Sequence, residues 1–428
     1  MVGAGGREHA LVWKLAQSPR VADILVAPGS DGMAREPKTR CAPIAVGAVR
    51  ELAELAAREA VDLTVVGPEQ PLVAGLADAF QARGLAVFGP ARGPAQLEGS
   101  KAFAKDFMVK HTIPTARYRV FDKADDAFAF MTHEQMPFVV KADGLASGKG
   151  VVVPATTAQS LEAVRAMMVQ GQFGDAGRRI VLEERLRGEE ASVIGVADGH
   201  RILLLESAQD HKRLRDHDEG PNTGGMGAYS PAPVITAALQ EEIRRRIMEP
   251  TIAGMAEAET PFIGALYAGL MITEDGPKVL EYNVRFGDPE TQAVLPRLRT
   301  DLAELLFAAS RGDLRNIRLS WDPRPCVCVV LAAPGYPENP VTGQMIRGLE
   351  RLANQPDVQV FHAGTTRQQD QWVTAGGRVL NLVATGDSFR AAIARAYEAV
   401  EQIQFDGMQY RRDIGARAAA RELRRVRA

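Results

Sequence analysis

Lys278-Val279-Leu280-Glu281-Tyr282-Asn283-Val284-Arg285-Phe286-Gly287-Asp288-Pro289-Glu290 reads as a strand running into a turn. Side chains alternate along a strand, so Glu281, Asn283 and Arg285 share one face and Leu280, Tyr282 and Val284 the other. The second face is apolar and can be buried. The first offers two oxygen donors and a guanidinium, and side-chain oxygens of this kind suit Mg2+, which takes one or two of them and completes its shell with phosphates and water. Just upstream, Glu274-Asp275-Gly276-Pro277 joins the apolar run 265–273 to 278–284 as a strand–turn–strand unit.

Further outward lie segments that suit an anionic ligand. Gly99-Ser100-Lys101 opens a helix, and Lys141 ends a strand at 138–141 and leads into Ala142-Asp143-Gly144-Leu145-Ala146-Ser147-Gly148-Lys149-Gly150. Lysine is a compact point charge for polyphosphate, and the glycines let backbone N–H groups approach the same anion. The loop is not a Walker A sequence, because Gly150 stands where Ser or Thr is required. The strand at 180–183 continues through Glu183-Glu184-Arg185-Leu186-Arg187-Gly188-Glu189-Glu190, whose carboxylates could accept from a ribose diol or an adenine amino group. Residues 209–233 are too long and irregular for a simple turn, and we expect a functional loop there.

Residues 1 to about 100 alternate strand-like runs (24–27, 63–66) with a helical stretch at 49–60, a βαβ rhythm that implies a parallel sheet with its chemistry at the strand ends. The turn Gly3-Ala4-Gly5-Gly6-Arg7-Glu8-His9 could present N–H groups to a phosphate, but it fits the dinucleotide pattern G-x-G-x-x-G poorly, and the strand before it looks shortened to a stub. Residues 321–325 read as a linker to a third region of strands with one late helix, and the arginine-rich end from Arg411 onward reads as a solvated helix end.

The 428 residues suffice for about three domains at about 150 residues each. With 51 Lys+Arg against 53 Asp+Glu, a net charge of −2 gives no field for a polyanion, so nucleic acid is not an expected partner. Cys41, Cys326 and Cys328 are read as small buried residues rather than a disulfide or zinc framework. No apolar run approaches the roughly 20 residues of a membrane span and no leader-like pattern opens the chain, so the cytoplasm is the expected compartment.

Together these segments resemble the ATP-grasp superfamily, and most closely the glycinamide ribonucleotide synthetase (phosphoribosylamine–glycine ligase) family. The resemblance rests on Gly5-Gly6-Arg7-Glu8-His9-Ala10, Val66-Gly67-Pro68-Glu69, Leu97-Glu98-Gly99-Ser100-Lys101, Lys141-Ala142-Asp143-Gly144-Leu145-Ala146, Gln209-Asp210-His211-Lys212-Arg213, Gly220-Pro221-Asn222-Thr223-Gly224-Gly225-Met226-Gly227-Ala228-Tyr229-Ser230-Pro231 and Arg285-Phe286-Gly287-Asp288-Pro289-Glu290. It implies an α/β and α+β multidomain chain. A Rossmann-like, parallel-sheet pre-ATP-grasp domain at 1–100 would bind phosphoribosylamine. An ATP-grasp domain would span 101–320 with a mobile lid at about 115–190, and a small α+β/β domain 326–428.

The resemblance also implies ligation of glycine to 5-phosphoribosylamine with ATP converted to ADP and phosphate through a glycyl phosphate, in purine biosynthesis, by a monomer. By motif position Lys101, Lys141, Gly144, Ser147, Gly148, Lys149, Gly150, Glu183, Glu184, Leu186 and Glu190 would hold ATP. Glu281 and Asn283 would hold Mg2+ or Mn2+. Gly5, Gly6, Arg7, Glu69, Asp210, Lys212, Arg213, Gly224 and Asp288 would meet the other substrates, and Arg285, Lys141 and Asp288 would be catalytic. The strand at 265–269 carries no further metal-binding acid, which implies a lean metal site.

Overall fold

A computed structural model of the chain describes residues 1–146, 149–353 and 355–427. The first strand, Val2–Gly3, is only two residues long, yet it links two groups of parallel strands. It pairs in parallel with Ile24–Pro28, which pairs with Thr39–Cys41. On its other side Val2 bridges to Val66, beside the parallel pair Thr64–Val65 and Val87–Phe88. The backbone of 1–3 is bonded on both sides: the Met1 ammonium donates to the Leu25 carbonyl at 2.8 Å, and the Gly67 amide to the Val2 carbonyl at 3.0 Å. So short a strand can hold the sheet because almost every one of its polar groups is paired.

Two antiparallel sheets follow. A small one, in the order Tyr118–Phe121, Ile180–Glu184, Phe138–Ala142, Val151–Val152, has its own core of Phe121, Met131, Phe138, Val140, Ile180 and Leu182 under the helices Ala124–Glu134 and Thr157–Val164. A larger one is built on Glu189–Asp198 and Ile263–Thr273, paired from Glu189↔Ile272 to Asp198↔Ile263 and flanked by Ile202–Leu204 and Gly276–Asn283. The residues 184–189 between Glu184 and Glu189 are the short link from one sheet to the other.

The stretch 209–233 is not the loop its composition suggests. Arg213–Arg215 and Glu219–Asn222 form a two-stranded ladder. Gln209–Asp210 and Gly227–Ser230 join Cys326–Ala332, Arg378–Thr385 and Val358–His362 in one five-stranded sheet. The strands are too short and too rich in Gly and Pro to show period-two patterning. The C-terminal region therefore shares its sheet with the central one, and it ends in two helices, Phe389–Gln402 and Ala416–Arg427, rather than one.

Arg411 is buried between Asp218 at 2.8 Å and Asp413 at 2.7 Å, so this part of the arginine-rich end is structural. Cys326 and Cys328 are buried, but Cys41 is exposed, contrary to expectation. Among the described residues no helix is long and apolar enough to cross a membrane.

The first and last regions meet through histidines. The His9 Nδ1 accepts the His362 amide at 2.9 Å, its Nε2 faces Glu36 at 3.1 Å, and the His362 ring lies on Trp372 with centroids 4.3 Å apart. Burial, with help from His9 and Arg35, pushes the His362 imidazole down to about 3. An unfolded histidine protonates near 6.5 whereas this one stays neutral, so its contribution is complete above that pH and is lost as pH falls toward 3. The stability advantage of the parent over a His362→Asn variant, read from urea denaturation at a series of pH values, should shrink below pH 6.5 by up to about 1.4 kcal/mol per pH unit. A difference that stays constant from pH 7 to 5 would count against a buried neutral ring.

Candidate active site

Strand Gly276–Asn283 pairs with Ile263–Thr273 as far as Leu270↔Val279, but the next pair is Gly269↔Glu281. Leu280 is the extra residue of a β-bulge, which breaks the regular alternation. Tyr282 and Val284 are buried as expected, but Val279 is buried in place of Leu280, which is half-exposed like Glu281 and Asn283. Glycine at 269 leaves room for the acid opposite, since a Cβ there would lie 3.3 Å from the Glu281 Cγ.

The bulge also turns the Leu280 carbonyl to the Lys141 ammonium, 2.8 Å away. Lys141 ends the strand Phe138–Ala142, so this bond ties the small sheet to the strand that carries Glu281 and Asn283. Lys141 is buried and also pairs with Glu183 Oε1 at 2.8 Å. Glu183 Oε2 lies 3.0 Å from a second buried lysine, Lys105. Both carboxylate oxygens of Glu183 thus face ammonium groups.

Lys101 begins the helix Lys101–Lys110, capped by Ser100, and its ammonium donates to the Gly144 carbonyl at 3.2 Å. Asp143 anchors this loop to the helix start, accepting from the Ser100 hydroxyl at 2.9 Å and the Ala102 amide at 2.7 Å. Lys149 reaches the Pro337 carbonyl at 3.1 Å, and Ala142 donates to Gly150. Ser147 and Gly148 lie outside the described residues. Along the link between sheets, Glu184 accepts from the Arg117 side chain at 2.7 Å, Leu186 is half-buried, and Glu190 pairs with Lys212 at 3.1 Å.

Glu281 and Asn283 fit a divalent cation. They are two accessible oxygen donors two residues apart on one strand. Burial would raise the Glu281 carboxyl, but Lys212, Lys141, Lys101 and Arg285 outweigh it and hold the group below the usual carboxylate range. Among the described residues no three His, Cys, Asp or Glu side chains are placed to hold a metal ion together, so Glu281 and Asn283 would offer a partial shell of the kind Mg2+ completes with phosphates and water.

Arg285 is caged. It lies 3.0 Å from Glu98 and 3.3 Å from Glu69, and donates to the Asn283 side-chain Oδ1 at 3.1 Å. Glu98 also accepts the Val284 amide at 2.7 Å, and burial pushes its carboxyl up to about 7 against the pull of Arg285. Lys212 faces Glu281 at 3.8 Å, and Glu190, Asp210 and Glu281 push it up despite burial. Asp210, buried beside Glu290, Glu190 and Glu281, is pushed up to about 7 even with Lys212 near. Arg213 donates to the Gly220 carbonyl at 2.7 Å.

The N-terminal turn differs from a simple phosphate cradle. The Gly5 amide donates to the Glu8 carboxylate at 2.7 Å, the Arg7 side chain binds the other Glu8 oxygen, and Arg7 also donates to the Phe286 carbonyl at 3.3 Å. Gly6 lies against Asn381 and Gln292, close enough that a Cβ would collide with the Asn381 amide. Open space lies beside Ala4, in a cavity of about 390 Å3 bounded by Gly29, Ser30, Gly364 and Thr365.

Asp288 is held by a residue that sequence reasoning missed. Arg378, from the C-terminal region, binds its carboxylate at 2.6 Å and its carbonyl at 3.1 Å, and also the Gly224 carbonyl at 2.5 Å. Burial raises the Asp288 carboxyl, but Arg378, Arg7 and Arg285 outweigh it and keep the group below its ordinary value. Tyr336 accepts the Gly224 amide at 2.9 Å. Nothing near Arg378 or Tyr336 in sequence marks them. Lys105, by contrast, lies one helical turn after Lys101, and Glu98 stands inside a segment already singled out.

Comparison with known proteins gives the same picture. Family models of phosphoribosylglycinamide synthetase match the whole plan: the N domain at residues 1–98, the ATP-grasp (A) domain at 99–291 and the C domain at 326–417. A phosphoribosylamine–glycine ligase of Xylella fastidiosa is 53% identical over 424 residues, covering 99% of this chain and 98% of that protein. The crystal structure of the phosphoribosylamine–glycine ligase of Thermotoga maritima superposes with a TM-score of 0.82 at 32% identity, over 96% of this chain and 98% of that one. At the level of fold alone, the biotin carboxylase domain of a Hydrogenobacter thermophilus 2-oxoglutarate carboxylase superposes with a TM-score of 0.73 at 14% identity, over 96% of this chain and 90% of that one. On these matches the chain belongs to the phosphoribosylglycinamide synthetase family, with its three-domain N, ATP-grasp and C architecture.

Proposed function

We propose that this chain joins glycine to 5-phosphoribosylamine at the expense of ATP, through a glycyl phosphate, as a step of purine biosynthesis in the cytoplasm. One observation carries the reading: the Lys141–Leu280 bond brings the phosphate-binding lysine to the strand that bears Glu281 and Asn283, and the turn that follows this strand carries Asp288.

ATP would lie between the two antiparallel sheets. The backbone of Glu183, with Glu184 and Leu186, would border the base and Glu190 the ribose. Lys101, Lys141 and the loop 144–150 would meet the phosphates, and the small sheet would act as the lid that keeps water from an acyl phosphate. Glu281 and Asn283 would hold Mg2+ or Mn2+, which when bound neutralises the phosphate charge that otherwise repels an incoming carboxylate.

In the first step the glycine carboxylate oxygen forms a bond to the γ-phosphorus as the bond to ADP breaks. In the second the amine nitrogen of phosphoribosylamine forms the C–N bond, phosphate leaves and the nitrogen loses a proton. Neither step needs a protein nucleophile. Asp288, kept ionised by Arg378, would accept a hydrogen bond from an ammonium or amine, beside Gly224, Asp210 and Lys212. Arg7, Glu69 and the glycines 5 and 6 would border the ribose phosphate. Arg285 is tied to Glu69, Glu98 and Asn283, so it would align the metal-binding oxygens with the acceptor side more than supply free positive charge.

ADP release should require glycine and phosphoribosylamine together. Release that is indifferent to glycine would point instead to another ATP-grasp ligase or carboxylase with a different acceptor. Glu281→Ala should lower kcat by at least about 100-fold with an unchanged thermal midpoint, because the lost oxygen acts on the charged transition state. An active, folded Glu281→Ala enzyme would remove that acid from the metal site. Arg378→Met should cost about tenfold or more in kcat/KM for the acceptor, as expected for a buried charged hydrogen bond, with ATP affinity unchanged. Equal losses for ATP and acceptor would show a general collapse instead.

A further inference from the structure

We infer that Lys105 is a positioning residue for the phosphate-binding Lys141, acting through the carboxylate they share. Lys105 and Lys101 stand four residues apart on the helix Lys101–Lys110 and so share a face. Lys101 is partly accessible at the loop, whereas Lys105 is 2% exposed and cannot itself reach a nucleotide. Its ammonium has two fixed neighbours, one of them tied onward to the strand of Glu281. Glu183 Oε2 lies at 3.0 Å, the Thr115 hydroxyl accepts from it at 2.7 Å, and that hydroxyl in turn donates to the Val279 carbonyl at 2.7 Å. Val279 and Leu280 thus present successive carbonyls to the two lysine systems, one through Thr115 and one directly to Lys141.

The arrangement solves an electrostatic problem. A buried carboxylate is needed to hold the Lys141 ammonium at the strand end, but a tight one-to-one pair would cancel the charge that the phosphates are to feel. With Lys105 on the second oxygen, the trio of two ammonium groups and one carboxylate carries a net +1. Glu183 also stays fixed, with both oxygens occupied. Lys141 donates to the Leu280 carbonyl and pairs ionically with Glu183 Oε1 at 2.8 Å, so its ammonium keeps donor capacity for the ligand. Lys105 therefore sets both the direction and the effective charge of Lys141.

Geometry makes this charge sensitive to pH. Burial, the largest influence, lowers Lys105 to about 8. The nearby Lys141 also lowers it, while Glu183 and Glu281 raise it. Those groups, with the uncharged Thr115, are what face it from the strands and segment packed on its helix, and Lys101 is its neighbour on the helix itself. Around pH 8 and above, part of the free enzyme lacks the Lys105 proton, and ATP should draw it back on binding.

The inference rests on the nucleotide site proposed above, and the experiment separates the two. ATP is titrated calorimetrically into the full chain with Mg2+ but without glycine or phosphoribosylamine. If the parent binds no ATP, the site reading itself fails. Given parent binding, Lys105→Met should weaken ATP about tenfold or more, as loss of a charged buried hydrogen bond implies, and Lys105→Arg should restore most of the loss. Repeating the titration at pH 8.5 in buffers of different ionisation enthalpy should show proton uptake by the parent that Lys105→Arg lacks. This readout needs no methionine variant and does not respond to a merely structural role. ATP binding by folded Lys105→Met within twofold of the parent, or equal proton uptake by parent and Lys105→Arg, would overturn the inference.

Discussion

A buried cation without a counter-charge costs more than one hydrogen bond returns, and a site for polyphosphate must gather several. Here each is held by an oxygen of the protein. Glu183 serves Lys141 and Lys105, the Gly144 carbonyl serves Lys101, Glu98 and Glu69 serve Arg285, and Asp288 serves Arg378. Because these partners come from different strands and helices, meeting the electrostatic demand also fixes how the regions sit on one another. The Lys141–Leu280 bond spans the two antiparallel sheets, and the Arg378–Asp288 pair spans the central and C-terminal regions. These pairs are first of all a framework that keeps the gathered cations stable.

That framework explains why strand 276–283 has a bulge. An unbroken ladder would commit the Leu280 backbone to regular pairing and keep period-two alternation through Glu281. Skipping one residue releases a carbonyl for Lys141 and lets Leu280 and Glu281 both be accessible, an apolar and an anionic side chain side by side. Glycine at 269 is the complementary feature on the partner strand, where a larger residue would crowd Glu281.

Much of this was legible in the sequence, and the parts that were not share a cause. The oxygen pair Glu281/Asn283, the lysines 101 and 141 and the parallel N-terminal sheet follow from local periodicity and motif spacing. The family itself was recognisable from the long Gly-Pro-Asn-Thr-Gly-Gly-Met-Gly run. The bulge was invisible because the 280/281 alternation looks regular on paper. The carboxylate of Glu183 was read as facing a base because its lysine partners lie 78 and 42 residues away in sequence, at 105 and 141. Arg378 and Tyr336 belong to a region whose relation to the centre depends on a sheet assembled from four-to-eight-residue pieces and one two-residue piece, none with a pattern of its own.

The shared sheet bears on why the chain needs its third region at all. Strand Gly227–Ser230 pairs with Cys326–Ala332 along its whole length, so the glycine-rich run ahead of it is anchored from the C-terminal side. Gly225, at φ +107°, packs so tightly on Pro289 that a Cβ would fall 2.4 Å from the Pro289 Cδ, which holds the run against the Asp288 turn. Arg378 closes the same joint by bonding both Gly224 and Asp288, and Arg411 closes the far end through Asp218 and the Arg213 carbonyl. A flexible glycine run alone would sample many positions at an entropic cost near 1–2 kcal/mol for each residue ordered, roughly speaking. Pinning both of its ends to a rigid sheet removes that cost in advance, so the proposed acceptor side would be organised by the C-terminal region as the proposed nucleotide side would be by its buried charges.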